Sequence, residues 1–357
     1  MVILKFLLYP FSVIYGIVTG IRNILYDSGI LKLNKFKIPV ISIGNITVGG
    51  TGKTPHTEYL ISLLKENYKV AVLSRGYKRK TKGFIEVKTD SPVADVGDEP
   101  LQIKRKFPNV TVVVDKDRVR GIRKLIKDSN NAFDVILLDD AFQYRKINAS
   151  VNILLIDYNR PINKDFILPA GRLRESRRQF KRATIIIYTK CPDNLSYESR
   201  SIIKKDIHLY PYQSLFFTGI AYDNPVPVFP EIVKESFLFS DKKNSFLLFS
   251  GIANPAPFWN YVYSVARVGG KMIFPDHHFY STEDIEKIEK IYDRISKDSY
   301  LYILTTEKDA MRLRTKKDLS FEIKKKIFYL PIKVSFLGKE ENKLFNKKTI
   351  EYVRRNK

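Results

Sequence analysis

The sequence predicts an α/β fold: a P-loop NTPase-like, doubly wound, mostly parallel sheet, a second, smaller α/β domain, and an N-terminal interfacial helix. Three observations predict it. Apolar runs of five to seven residues, rich in Val, Ile and Leu, are nearly continuous rather than alternating, and helical patterns separate several of them. Strands covered on both faces read this way. A glycine-rich segment ending in Gly-Lys-Thr joins the first such run to a helical stretch. Ahead of both lies an apolar, amphipathic segment followed by basic residues.

The chain has 357 residues, which at about 150 residues per domain suggests two domains. Hydrophobic residues make up 44%, enough for a sizeable core and too many for a disordered chain. Lys and Arg number 62 against 38 Asp and Glu, a net charge of +24 that calls for an anionic partner: nucleic acid, an anionic membrane face or a phosphorylated substrate. Cys191 is the only cysteine, which excludes a disulfide framework and a Cys-based zinc site and favours a reducing compartment. With only His56, His208, His277 and His278, the composition argues against a multi-His metal centre.

Residues 6–21 form an apolar run of 16, short of the roughly 20 that a spanning helix needs. Pro10 interrupts it and no small-residue cleavage site follows, so a signal peptide fits poorly. Beyond Pro10, Ile14, Ile17, Val18, Ile21, Ile24 and Leu25 recur at helical spacing, while Ser12, Gly16, Thr19, Gly20, Asn23 and Asp27 take the other face. Tyr9, Tyr15 and Tyr26 suit the headgroup level, with Arg22, Lys32, Lys35 and Lys37 nearby. Residues 1–30 therefore read as a helix lying in the membrane interface, not crossing it. An ordinary amphipathic helix packed on its own domain has the same pattern; the basic charge around it favours the membrane.

Strands are expected at 38–44, 69–74, 110–114, 134–139, 151–157 and 183–189, with helices over 54–66 and 117–128. These make a doubly wound α/β domain of residues 31–200. The chain turns polar from 190 to 213, and the boundary is set there. Strands at 214–219, 245–251, 271–274, 301–306 and 326–332, with helices near 256–267 and 281–296, make the smaller domain of residues 201–357. The three prolines of 221–230 mark an extended connector.

Strand 38–44 runs into Gly44-Asn45-Ile46-Thr47-Val48-Gly49-Gly50-Thr51-Gly52-Lys53-Thr54-Pro55. This is G-x-x-x-x-G-K-T with Thr47 in place of the first glycine, in the strand-loop-helix setting the motif requires. Its glycines let successive backbone N–H groups of Thr47, Val48, Gly49, Gly50, Thr51 and Gly52 face phosphate oxygens, and the helix starting near Lys53 adds its positive end. Lys53 reaches the β- and γ-phosphates and the Thr54 hydroxyl ligates Mg²⁺. Asp139 and Asp140, ending strand 134–139, are the partner carboxylates; strand alternation turns them different ways, one to the metal and one to a neighbour.

Four further clusters stand out. Asp98-Glu99-Pro100 follows Gly97 and suits a helix start; Asp276-His277-His278 ends strand 271–274, where a solvent-exposed turn is the plainer reading. Leu168 to Arg178 holds four arginines, either a solvated face or a phosphate clamp. Ser74 to Lys80 is a basic loop at a strand's carboxyl end, where open α/β sheets bind ligands.

Taken in order, SIGNITVGGTGKTP (42–55), SRGY (74–77), GDEP (97–100), DDAFQY (139–144), LPAGRLRE (168–175), SGIANP (250–255), FPDHHFY (274–280) and TEKDAMRL (306–313) resemble the tetraacyldisaccharide 4′-kinase family of lipid A synthesis. The resemblance covers most of the chain; apart from the phosphate loop, its specificity lies in the order and spacing of the motifs. It implies a peripheral enzyme at the cytoplasmic face of the inner membrane of a lipopolysaccharide-making bacterium. That enzyme uses ATP and Mg²⁺ to phosphorylate the 4′-hydroxyl of a tetraacylated glucosamine disaccharide 1-phosphate, giving lipid IV-A, with no nucleic acid and no protein partner required. In the family an Asp of the GDEP segment and a His of the DHH segment together deprotonate the sugar hydroxyl. On this chain these fall on Asp98 and His277, the first histidine being chosen because it follows Asp276, with His278 the alternative. Glu99, Asp139, Asp140 and Glu175 are implied near the metal or its waters, and Arg118 and Arg174 as phosphate contacts. The chain departs from the family at Ala141 and Tyr144, where glycine and histidine are usual; a tyrosine donates a hydrogen bond but is no base at neutral pH.

Independently of the resemblance, a phosphate loop, an interfacial helix and a charge of +24 suit a phosphorylated lipid in an anionic leaflet. Two other classes compete. A membrane-associated nucleotide-switch ATPase of the positioning type shares much of the loop, but its K-G-G-x-G-K-T lysine is Val48 here. A nucleic-acid-binding ATPase fits the charge, yet no module signature interleaves basic residues with a stacking platform.

Overall fold

The computed structural model describes residues 2–127, 132–234, 239, 243–276, 278–296, 300–314, 316 and 318–356. Helix α1 (Val2–Asp27) is followed by β1 (Val40–Gly44), α2 (Lys53–Leu64), β2 (Val70–Ser74), β3 (Ile85–Glu86), α3 (Val93–Val96), α4 (Asp98–Lys106) and β4 (Thr111–Val114). Then come α5 (Arg118–Lys127), β5 (Val135–Leu138), β6 (Val151–Asp157), β7 (Ile185–Thr189), α6 (Tyr197–Ile207) and β8 (Ser214–Tyr222). A second set comprises β9 (Val226–Pro227), β10 (Ser245–Ser250), α7 (Ala256–Val265), β11 (Arg267–Ile273), α8 (Thr282–Ile295), β12 (Leu301–Thr306), α9 (Glu307–Leu313), α10 (Phe321–Lys326) and β13 (Ile327–Leu330). The chain closes with β14 (Ile332–Phe336) and α11 (Lys339–Arg355).

Among the described residues these strands form two sheets, ordered β14-β8-β7-β6-β1-β5-β2-β4-β3 and β11-β10-β12-β13-β9. Pairing is parallel except for β3, β14 and β9. The α/β class and mostly parallel sheet expected from the sequence are what the chain adopts. Every residue of β1 is buried because both faces are covered. Ile41 and Ile43 pack with Leu60, Ile61 and Leu64 of α2 and Phe345 and Val353 of α11; Val40 faces Ile122 and Leu125 of α5. Each such side chain contributes roughly 1.5–3 kcal/mol by leaving water. Because β7, β6, β1, β5 and β2 run parallel, their carboxyl ends share one edge of the sheet, and the loops that carry chemistry converge there.

The sheets do not divide at residue 200. β8 pairs parallel with β7 and so extends the first sheet, and the run 326–332 is split at Pro331. Proline offers no N–H to a ladder, so β13 ends in the second sheet and the chain crosses back, with Ile332 pairing opposite Tyr222. Nothing in the composition of 214–219 distinguishes an edge of one sheet from the start of another.

The N-terminal helix runs through Pro10 as one element of 26 residues, longer than the pattern beyond Pro10 implied. From Leu7 to Asp27 it is long and apolar enough, by length and composition, to cross a membrane, and only 11% of its most apolar window is buried. Its amphipathicity points outward. Ser12 Oγ accepts from the Ala170 N–H at 2.9 Å, Asn23 Nδ2 donates to Glu175 Oε2 at 3.1 Å, and Tyr15 donates to the Arg174 carbonyl at 3.2 Å. Arg145 reaches both the Asn23 carbonyl and Asp27. Ile14, Ile17, Val18, Ile21 and Ile24, on the other side, are all more than half exposed. The face that docks on the protein is the polar one.

Candidate active site

The loop after β1 is held from several sides before any phosphate arrives. Gly44 closes the strand where no side chain fits: a Cβ there would lie 2.7 Å from the backbone nitrogen and Cβ of Phe142. The Leu168–Glu175 segment braces the next residues: the Val48 N–H, expected to face phosphate, instead donates to the Arg172 carbonyl at 2.8 Å, and the Arg174 N–H donates to Ile46 at 2.7 Å. Asn45 Nδ2 donates to Thr51 Oγ1 at 2.8 Å, and Thr189 Oγ1 donates to the Thr51 carbonyl at 3.0 Å. His56 Nδ1 lies 2.7 Å from the Gly52 carbonyl, which can only accept, so Nε2 accepts from Thr218 Oγ1 at 3.1 Å. Burial pushes the His56 imidazole down to about 4 and keeps it neutral. Helix α2 starts at Lys53 without a side-chain cap, so the positive end of the helix is left for an anion.

Asp139 and Asp140 stand just past the end of β5, and they differ in environment, as expected. The cause is the turn and not strand alternation: Asp140 has a left-handed backbone, φ 47°. Asp139 is buried; Thr57 Oγ1 donates to its Oδ1 at 3.1 Å, while Oδ2 has no partner among the described residues. Burial, and then the nearby Glu99 and Asp140 carboxylates, push Asp139 up to about 7. Burial also raises Asp140, but Lys53, Arg174 and Arg118 outweigh it and hold this carboxyl below its usual range. Lys53 Nζ lies 3.6 Å and Arg174 Nη1 3.2 Å from Asp140 Oδ1. Arg118 donates to the carbonyls of Asp140 and Asp139 at 2.9 and 3.4 Å. The phosphate-loop lysine, both aspartates and both candidate arginines are thus one cluster.

A second cluster joins the two sheets. Gly97, at φ 92° and ψ 156°, adopts a backbone that favours glycine and starts α4 at Asp98. Asp98 Oδ1 accepts from the Glu99 N–H at 3.0 Å, and its Oδ2 accepts from Arg312 Nη2 at 2.7 Å. Arg312 also donates to Asp309 Oδ1 and the Gly251 carbonyl, at 3.0 and 3.1 Å, and Lys308 pairs with Glu99 at 2.7 Å. The GDEP, SGIANP and TEKDAMRL segments therefore meet. Tyr77, Lys78, Gly97, Asp98, Phe279 and Arg312 line a small cleft beside them. His277 lies outside the described residues. His278 Nε2 is 2.7 Å from Asp284 Oδ2 in the capping box of α8, and its ring stacks on Phe274.

Glu175, which the resemblance implies near the metal or its waters, takes part in docking the N-terminal helix. It is fully buried, with Arg182 Nη2 at 3.0 and 2.9 Å from its two oxygens, Asn23 at 3.1 Å and Arg22 at 3.7 Å, so it fastens α1 to the body. Tyr144 donates to Asp117 Oδ1 at 2.9 Å under the Arg118 guanidinium, and burial pushes its phenol up to about 12. Among the described residues no group of three or more His, Cys, Asp or Glu is gathered into a metal cage. Thr57, His56, Thr189, Lys308 and Arg312 were missed as site residues. Only the last two had a signal, within TEKDAMRL; the others are ordinary polar residues given a role by folding.

The tetraacyldisaccharide-1-P 4′-kinase family model matches residues 4–349. Relatives named tetraacyldisaccharide 4′-kinase include one from Phocaeicola vulgatus, 46% identical over 98% of this chain and 95% of its own. Another, from Bacteroides thetaiotaomicron, is 46% identical over 98% of this chain and 93% of its own. The fold is similar to the crystal structure of LpxK from Aquifex aeolicus in complex with ATP, with a TM-score of 0.75 and 30% identity over 98% and 99% of the two chains. With the loop, the two aspartates and the bridging cluster in one place, and relatives matching nearly end to end, the chain belongs to the tetraacyldisaccharide 4′-kinase family of lipid A synthesis.

Proposed function

We propose that this lipid A 4′-kinase draws its phosphoryl group from ATP seated on residues 47–54, with Mg²⁺ held on the Thr54 and Asp139 side, and passes it to the 4′-hydroxyl of its lipid acceptor beside Asp98. The observation that carries the reading is Asp139: a buried carboxylate with one oxygen unpartnered among the described residues, pushed up to about 7 beside two other carboxylates and next to a phosphate loop. A site of that kind lacks a cation. Thr54, Asp139 and a nearby Glu99 fit Mg²⁺, which takes few protein ligands and completes its shell with phosphate and water. When bound, the ion neutralises charge developing on the transferred phosphoryl group.

The chain's own residues do the rest. Lys53 supplies a cation to the β- and γ-phosphates, and Arg118 and Arg174 converge on the same turn. Asp98, fixed at both oxygens by Arg312 and the Glu99 N–H, orients an imidazole that takes the sugar proton. His277 fills that role in this reading, since His278 is committed to Asp284. The exposed apolar face of α1 keeps the enzyme on the cytoplasmic leaflet where the acylated substrate lies. The two sheet-bearing units close over the disaccharide.

The test is turnover of ATP with tetraacyldisaccharide 1-phosphate. Asp98→Ala and His277→Ala each lower kcat by about 10²–10⁴-fold, the usual scale of general-base catalysis, with ATP affinity little changed. The double variant is little worse than the poorer single one, because both serve one step. Fully multiplicative losses, or loss of ATP binding alongside turnover, overturn the pairing.

A further inference from the structure

Arg160 sits on the loop side of the site that neither the motif nor the mechanism uses. It follows β6, is partly buried, and its Nη1 lies 3.0 Å from where a Cβ on Gly49 would stand. Among the described residues no carboxylate is within ion-pair distance of its guanidinium. Asp157, three residues away, is already taken: Lys190 Nζ binds it at 2.8 Å and the Asn159 N–H donates to it at 3.0 Å. Lys190, just past the end of β7, also donates to the Gly50 carbonyl, and Thr189 holds the Thr51 carbonyl at 3.0 Å. Two neighbouring strands thus reach the phosphate loop at Gly49, Gly50 and Thr51.

Sheet order gives this flank its meaning. β1 lies between β6 and β5, with Asp139 and Asp140 after β5 and Asp98 beyond them. The phosphoryl group that moves must face those carboxylates and the acceptor. The phosphates that stay behind, and the nucleoside, then extend toward β6 and β7. A guanidinium without an acidic partner among the described residues, over a loop of glycines, has the fork geometry that phosphate oxygens take.

We propose that Arg160 binds the non-transferred phosphates of the nucleotide donor, and that Lys190 is a positioning residue that keeps Asp157 from capturing the Arg160 guanidinium. The inference rests on the nucleotide being seated on residues 47–54.

Steady-state kinetics with ATP and the lipid acceptor test it. Arg160→Ala raises the KM for ATP about tenfold, the loss expected for one charge-assisted contact, with kcat held because the contact is the same in ground and transition states. Arg160→Lys recovers part of the loss. Binding of inorganic tripolyphosphate, followed by calorimetry, weakens by the same factor, since the contact is to phosphate and not to the base. Lys190→Ala also raises KM, and adding Asp157→Asn to it restores the value. An unchanged KM in Arg160→Ala, a fall in kcat alone, or weakened ATP binding with tripolyphosphate binding intact overturns the phosphate assignment. A double variant as poor as Lys190→Ala overturns the positioning role, leaving Lys190 to act through Gly50. Absence of ATP binding by the unaltered enzyme would instead remove the seating of the nucleotide.

Discussion

Arg312 on α9 donates to Asp98 at the start of α4 across 2.7 Å, and both side chains are buried. One residue belongs to the unit of the second sheet and the other to the unit of the first, so the pair fixes the candidate base carboxylate and the junction of the two units together. The network is well supplied: Arg312 also binds Asp309 and the Gly251 carbonyl, and Asp309 accepts from the Gly251 N–H and Thr306. Lys106 at the end of α4 adds a second bridge, 3.4 Å from Glu307 of α9 and 2.6 Å from Glu58 of α2.

Arg312→Ala leaves two buried carboxylates without their cation. Breaking one partner of a buried pair costs about 3–5 kcal/mol, so a large drop in the denaturation midpoint is expected, together with loss of turnover. Arg312→Met combined with Asp98→Asn, which removes the charge as well, is less destabilised than Arg312→Ala. Equal midpoints for the two would mean that the pair carries no such load.

Lys53→Ala and Thr54→Ala abolish kinase activity while leaving the circular dichroism spectrum and melting curve close to those of the parent. Lys53 contacts Asp140 at 3.6 Å at the edge of the site and contributes to neither core. Near-normal turnover in either variant would remove the phosphate-loop assignment.

Replacing Ile14, Ile17 and Ile21 together by serine moves the protein toward the soluble fraction and weakens use of the lipid acceptor more than ATP binding. Thermal stability holds, because these side chains are more than half exposed. Glu175→Gln has the opposite signature: it leaves Arg182 and Arg22 without their carboxylate and loosens α1 from the body. Resistance of the unaltered protein to extraction by high salt or alkaline carbonate would mean that α1 spans the bilayer rather than lying in it.

Glu307 gives a pH dependence whose sign follows from burial. Burial, and then the Glu58 charge, push its carboxyl from 4.5 up to about 8 in spite of Lys106. The folded chain therefore keeps a proton that the unfolded chain has lost, and this group's effect is to lower stability as pH rises from about 4.5 to 8. Glu307→Gln removes that loss. Its melting temperature exceeds the parent's at pH 8, by about 1–2 °C for each kcal/mol recovered in a chain of this length, and the two curves converge by pH 4.5. A gap that widens toward acid would show the sign to be wrong.

The sequence by itself determined the elements that depend on short-range pattern. Near-continuous apolar runs became parallel strands within one or two residues of their expected limits, except the runs near 214, 271 and 326, because burial on both faces leaves no room for alternation. The phosphate loop was legible because its glycines and its Lys-Thr pair act through backbone geometry, which spacing alone specifies. The outward-facing isoleucines of α1 were legible for the same reason.

Tertiary structure decided what depends on residues far apart in the chain. The run 214–219 joined the first sheet because β7 offered it a parallel partner, and 326–332 was divided between the sheets because Pro331 cannot donate to a ladder. Glu175 sits next to Arg174, which reaches Asp140, and nothing in LPAGRLRE distinguishes their tasks. Only the docking of α1, 152 residues away, brings Asn23 to Glu175. Arg312 reaches Asp98 across 214 residues, and Thr57 reaches Asp139 across 82. A carboxylate's role is set by the charges and hydrogens that surround it, and those arrive through folding from parts of the chain that no local pattern connects.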